Sequence, residues 1–165
     1  MICGRGWMFG SDIDTDKIIP GRYLDNYSFE FLAFHAMEGE DHEFASKVRE
    51  GDIIVAGKNF GIGSSREQAA IALKHAGIRV IIAESFARIF YRNAVNYGLL
   101  PIISPNCTTV FKNGEEICVD LDNGRIFSSD DSGREARFFE IPSIVRQIYD
   151  AGGLVGLLKL SDENE

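Results

Sequence analysis

The chain has 165 residues, of which 45% are hydrophobic and 25% charged, with a formal net charge of -8. That length favours a single compact domain, spanning residues 1–165, able to bury a core without disulfides. The acidic balance argues against a general binder of nucleic acid or anionic membranes.

No apolar stretch approaches the roughly 18 residues of a membrane span. Cys3, Cys107 and Cys118 are scattered and form no CxxC. With no signal peptide in view, they read as free thiols of a reducing cytosol, and the cytoplasm is the expected compartment. They are too few to hold an iron–sulfur cluster or a structural zinc alone.

Met1 to Phe9 reads as an entry strand. "GSDIDTDKIIP" places three aspartates before an apolar step, and helical spacing begins at Phe29. Asp41 to Glu50 is a short polar helix at best. From Asp52 the pattern alternates. "DIIVA" is a buried strand, and "GKNFGIGSSR" turns on glycines. A helix is predicted from near Ser65 to Gly77, where Ser65 with Gln68, or Ser64 with Glu67, fits a capping box. "IRVIIA" is the next strand, Phe86 to Tyr97 a helix stopped by Gly98, and "LLPII" a third strand in which Pro101 signals an edge or an irregularity. This β-α-β-α-β order predicts parallel strands with crossover helices. Beyond it, Asn123–Gly124 between apolar runs predicts a hairpin, and "EARFFEI" another strand. A helix runs from Pro142–Ser143 to Ala151, "LVGLLKL" forms a short one, and "SDENE" is expected to fray. The fold class is α/β: a small parallel βαβ core with additional antiparallel strands.

The glycine stretch carries the chemistry. Helix-start N–H groups and the helix dipole attract anions. Ser64 and Ser65 add hydroxyls, and Arg66 adds a fork suited to carboxylate or phosphate. The Walker A lysine, the GxGxxG fingerprint and the GxSxG elbow are all absent. A capped helix after a glycine turn explains part of the pattern. The remainder points to an anion site without naming the anion.

"NFGIGSSREQAA", Asn59 to Ala70, closely resembles a motif of aconitase-type hydro-lyases, in the form carried by the small swivelling subunit of 3-isopropylmalate dehydratase and its relatives. Ile62 stands where the usual motif has Cys, and Gln68 where it has His. "DIDTDKIIPGRYL", Asp12 to Leu24, and "ESFARIFYRNAVNYGLLPI", Glu84 to Ile102, match two further motifs in the same order and spacing. The resemblance implies an aconitase swivelling-domain-like β/β/α fold. It also implies reversible dehydration and rehydration of a small hydroxy-dicarboxylate, as in leucine biosynthesis. A [4Fe–4S] cluster is then expected in a separate large subunit, joined in a heterodimer or heterotetramer, with no cofactor or metal on this chain.

By motif position Ser64 is implied as the catalytic base. Ser65, Arg66, Arg22, Thr15 and Asp16 are implied as substrate-binding residues. Tyr23, Leu24, Asp25 and Asn26 form the implied specificity loop. Asp12 reads as structural, and His35, His42 and His75 show no metal spacing. Rival readings are the small subunits of homoaconitase and 2,3-dimethylmalate dehydratase. A rival of another class is a non-catalytic anion-binding module.

Overall fold

The computed structural model describes residues 1–164. In chain order the elements are β1 (Ile2–Met8), α1 (Thr15–Ile18), a 3-10 turn (Gly21–Tyr23), α2 (Phe29–Phe34), α3 (Phe44–Lys47), β2 (Ile53–Ala56), α4 (Gln68–Ala76), β3 (Val80–Ala83), α5 (Arg88–Asn96), β4 (Leu100–Ile103), α6 (Cys107–Val110), β5 (Glu116–Asp120), β6 (Arg125–Ser128), β7 (Glu135–Arg137), α7 (Ser143–Asp150) and α8 (Leu154–Glu163).

The strands form a seven-stranded sheet in the order β4-β3-β2-β1-β5-β6-β7. β1 to β4 are mutually parallel, and β5 to β7 run antiparallel from the other edge of β1. The entry strand is therefore the seam between the halves. Pro101 lies on β4, an outer strand of the sheet, where a missing N–H costs no ladder bond.

Alternation along the buried strands explains the two cores. Ile54 and Ala56 of β2, with Ile81 and Ala83 of β3, face one core together with Ala69 to Leu73 of α4 and Phe90 of α5. Ile53, Val55, Val80 and Ile82 face the other, with Val145 and Ile148 of α7. The antiparallel strands add Ile117, Val119, Ile126 and Ala136 to the second core only.

Three expectations are corrected. Cys3 and Cys118 are not free thiols: they form a disulfide. Their 115-residue separation hides the fact that antiparallel pairing of β1 with β5 sets them directly opposite, with Cα atoms 4.1 Å apart. The helix after the glycines begins at Gln68, and its N-cap, Glu67, makes no side-chain capping bond. The capping box predicted for Ser64 and Ser65 is thus absent, because both serines are spent in the preceding loop. Finally, Ser161 to Glu163 of the "SDENE" tail continue α8 rather than fray, while Glu165 lies outside the described residues.

Candidate active site

The three sequence motifs meet beyond the carboxyl ends of the parallel strands, where open α/β sheets place their ligands. The loop after β1 runs beside the loop after β2 and is stitched to it by main-chain bonds. The Asp12 N–H donates to the Lys58 carbonyl (2.8 Å), the Gly61 N–H to the Ile13 carbonyl (2.7 Å) and the Thr15 N–H to the Ile62 carbonyl (2.8 Å). The third motif joins from the far side, where the Phe60 N–H donates to the Ser85 carbonyl (3.0 Å) and the Ala87 N–H to the Phe60 carbonyl (3.0 Å).

Two residues at this junction hold left-handed backbone, Asp12 (φ 61) and Asn59 (φ 60). These are residue types that tolerate it. The Asn59 amide donates to the Asp12 carboxylate at 2.9 Å, so the two turns lock each other. Gly61 (φ 84) lies so close to the Phe90 ring that a Cβ would collide with it, and Gly63 (φ 108) sits against the Thr15 hydroxyl. The glycines therefore let the loop pass between α5 and the Asp14–Thr15 segment.

On this frame Ser64, Thr15 and Arg66 come together. The Arg66 Nε–H donates to the Ser64 Oγ at 2.6 Å, and the Thr15 Oγ1 lies 3.4 Å from the same atom. Arg66 Nη1 donates to the Ile19 carbonyl at 3.1 Å and approaches the Asp16 carboxylate at 3.4 Å. Among the described residues Nη2 has no hydrogen-bond partner. Ser64 and Ser65 are exposed, Arg66 is half-buried, and Thr15 is buried. The Asn93 amide donates to the Ser65 carbonyl at 3.3 Å and fixes its turn. Ser64 precedes the N-cap of α4 by three residues. Of the two donors expected from sequence, Arg66 and the helix-start N–H groups, Arg66 is the one that donates to its oxygen.

The neighbouring residues divide. Asp14 caps α1, accepting from the Lys17 N–H at 2.8 Å. Asp16 is exposed and accepts from the Gly21 N–H at 2.9 Å, which turns the chain into the 3-10 segment beside Arg66. Arg22 does not join Arg66. Its Nη2 donates to the Glu38 carboxylate at 2.9 Å, and its guanidinium lies over the Tyr23 ring. Glu38 also accepts from the Tyr23 hydroxyl at 2.8 Å and pairs with His35, whose ring stacks on Tyr23. Burial alone would raise the Glu38 carboxyl, but the bonds from His35 and Tyr23 and the Arg22 charge outweigh it. The net shift is downward.

Tyr23 and Leu24 pack on the first core, whereas Asp25 and Asn26 are exposed. The buried Gln68 amide reaches the Leu24 carbonyl at 3.4 Å, joining the first residue of α4 to this loop. Sequence reasoning missed Glu38, His35 and Gln68 as organisers of the loop. It had one legible signal for Asn59, an asparagine just ahead of a glycine turn. Cys107 is buried, and burial first of all pushes its thiol up to about 12. With Cys3 and Cys118 bonded to each other, the described residues offer no ligand set for a cluster. No helix among them is long and apolar enough to cross a membrane.

The chain is similar to known proteins over the span that holds these motifs. The Aconitase C-terminal domain family matches residues 12–106, the span that contains all three motifs. The 3-isopropylmalate dehydratase small subunit 1 of Methanopyrus kandleri is 55% identical over 96% of this chain and 93% of its own. The methanogen homoaconitase small subunit of Methanothermobacter thermautotrophicus is also 55% identical, over 94% of this chain and 89% of its own. Among solved structures, the 3-isopropylmalate dehydratase (leuD) of Methanocaldococcus jannaschii superposes with a TM-score of 0.91 at 50% identity, covering 98% of this chain and 95% of that one. Proteins named as small subunits are parts of a larger assembly by that name. This chain belongs to the aconitase C-terminal domain family, among the small subunits of its hydro-lyases.

Proposed function

We infer that this chain is the small subunit of a 3-isopropylmalate dehydratase. It would serve leucine biosynthesis in the cytoplasm, acting as one swivelling unit across residues 1–165 with a large subunit in a heterodimer or heterotetramer. The observation that carries the reading is the Ser64 oxygen held at 2.6 Å by Arg66 on an exposed rim, with the Thr15 hydroxyl beside it. The reaction is a reversible loss of water from a hydroxy-dicarboxylate and its return at the adjacent carbon. Any [4Fe–4S] group belongs to the large subunit, since this chain lacks the donors to hold one. The small subunit contributes a base and carboxylate ligands.

Ser64, as an alkoxide, takes the proton from the carbon next to the hydroxyl-bearing carbon. In the reverse sense its hydroxyl returns that proton. A serine hydroxyl is a poor base unless its anion is stabilised, and the Arg66 Nε–H is aimed at the atom where that charge resides. The free Arg66 Nη2 and the Ser65 hydroxyl hold one substrate carboxylate. Thr15 and Asp16 shape the floor beside it. Arg22 would take the second carboxylate only by giving up its contact with Glu38.

The specificity loop favours isopropylmalate over a homocitrate-derived acid. Tyr23 to Asn26 contain no cation to meet a third carboxylate. The test reconstitutes this chain with a cluster-bearing large subunit and follows hydration of unsaturated diacids. Activity should be highest with the isopropyl acid and should vanish in Ser64→Ala with assembly intact. Full activity in that variant removes Ser64 from the role. Preference for a tricarboxylate or for dimethylmalate would reassign the substrate. Anion binding without turnover would leave a non-catalytic module.

A further inference from the structure

The antiparallel half of the sheet has one covered face. Its other face carries Cys3 of β1 with Glu116 and Cys118 of β5. Residues two apart on a strand share a face, and the register sets Cys3 opposite Cys118 and Arg5 opposite Glu116. Cys3 and Glu116 are exposed, whereas Cys118 is buried. Arg5, the cation facing Glu116, is turned away to Asp52 and the Lys47 carbonyl. Among the described residues the Glu116 carboxylate has neither a salt bridge nor a side-chain hydrogen bond. One donor atom from each of Cys3, Glu116 and Cys118 lies within 4.8 Å of the others.

We propose that, once the Cys3–Cys118 disulfide is reduced, Cys3, Cys118 and Glu116 form a binding site for a thiophilic divalent cation, with Zn²⁺ as the reference ion. Two thiolates and a carboxylate suit zinc, which takes Zn–S bonds of about 2.3 Å and Zn–O bonds of about 2.0–2.2 Å. Tetrahedral geometry then asks for sulfurs roughly 3.8 Å apart. Side-chain rotation of the exposed Cys3 can supply that separation while the strands stay paired. Solvent reaches the site past Cys3 and Glu116, so water completes the fourth position. Three donors of this kind do not make a cluster site.

The site is redox-gated because both functions use the same two sulfurs. A small-molecule thiolate attacks the exposed Cys3 Sγ, the disulfide breaks, and Cys118 leaves as a thiolate. A second small thiol attacks the mixed disulfide and releases Cys3. Two external thiols are thereby oxidised to one external disulfide, and the protein disulfide gains the two electrons. Zinc binding then displaces whatever protons remain on the two thiols. Cys107 does not compete: it is buried, and its thiol hydrogen-bonds the Ala56 carbonyl at 3.4 Å.

The test uses the full chain. Reduction under native conditions, followed by alkylation and mass spectrometry, should label Cys3 and Cys118. The reduced chain should then take one Zn²⁺ from a chromogenic chelator, and the oxidised chain none. Cys3→Ser, at an exposed position that should not disturb folding, should abolish uptake. Glu116→Gln should weaken it by at least the ~10–100-fold typical of losing an outer-shell partner. No uptake by the reduced chain overturns the proposal, as does equal uptake by the oxidised chain or by Cys3→Ser. Unchanged affinity in Glu116→Gln removes the carboxylate and overturns the three-donor assignment.

Discussion

Replacing Arg66 with lysine keeps the charge and removes the fork. In the native chain the guanidinium makes two firm bonds, 2.6 Å to the Ser64 Oγ and 3.1 Å to the Ile19 carbonyl, and a longer one of 3.4 Å to Asp16. An ammonium cannot occupy both firm positions and still present a donor to a ligand. Losing a donor aimed at a developing oxyanion typically costs about 2.7–4 kcal/mol, or about 10²–10³ in kcat. Losing a charged hydrogen bond to a substrate carboxylate costs about 1.5–3 kcal/mol, which at about 1.4 kcal/mol per tenfold raises KM by about 10- to 100-fold. Steady-state hydration of the unsaturated diacid by the reconstituted enzyme separates these effects, with subunit assembly checked by gel filtration. A kcat within about threefold of the native value, in an assembled enzyme, would refute the claim that Arg66 holds the Ser64 anion.

Gly61→Ala should be destabilising by about 2–5 kcal/mol, combining roughly 1–2 kcal/mol for a left-handed alanine with about 1–3 kcal/mol of overpacking against Phe90. Gly124→Ala, at φ 65 with nothing nearby, should show the first part alone, and equal losses by urea denaturation would contradict the close-packing account. Glu38→Gln should flatten the acid limb of the stability curve. The native carboxyl sits below the ordinary value of 4.5, so its contribution is complete above that value and lost as pH falls through the lower folded one. Urea midpoints at about pH 7 and about pH 3.5 should therefore differ less in the variant, and an unchanged difference would discard Glu38 as a source. Gln68→Leu should raise KM about two- to tenfold with kcat nearly constant, by freeing the Leu24 carbonyl. A fall in kcat alone would show that the amide serves the reacting centre instead of the loop.

β2, β3 and β4 of the parallel half were legible because they are short apolar runs rich in Ile, Val and Leu closed by turns, and Pro101 pointed to an edge or an irregularity, of which the structure shows the edge. The entry strand was legible as a strand but not as the centre of the sheet. Nothing within Ile2–Met8 encodes a partner at Glu116–Asp120, and the cysteine pairing was lost with it. Ser64 and Ser65 read as caps because hydroxyls ahead of a helix suit a cap and the proposed anion site alike. The motifs brought Ser64, Thr15 and Arg66 to one place. Arg22 was drawn elsewhere by Glu38, a residue sixteen positions on with no local pattern to announce it.

The central position of β1 has a consequence for synthesis. β1 leaves the ribosome before β2 and can gain that parallel neighbour once it follows, but its other edge must wait for β5, more than a hundred residues later. Until then a nascent chain exposes a row of unsatisfied amides and carbonyls, a template for mispairing between neighbours on a polysome. Closure of that edge is a late, long-range event, so the C-terminal hairpin acts as the guard that ends this chain's aggregation-prone interval.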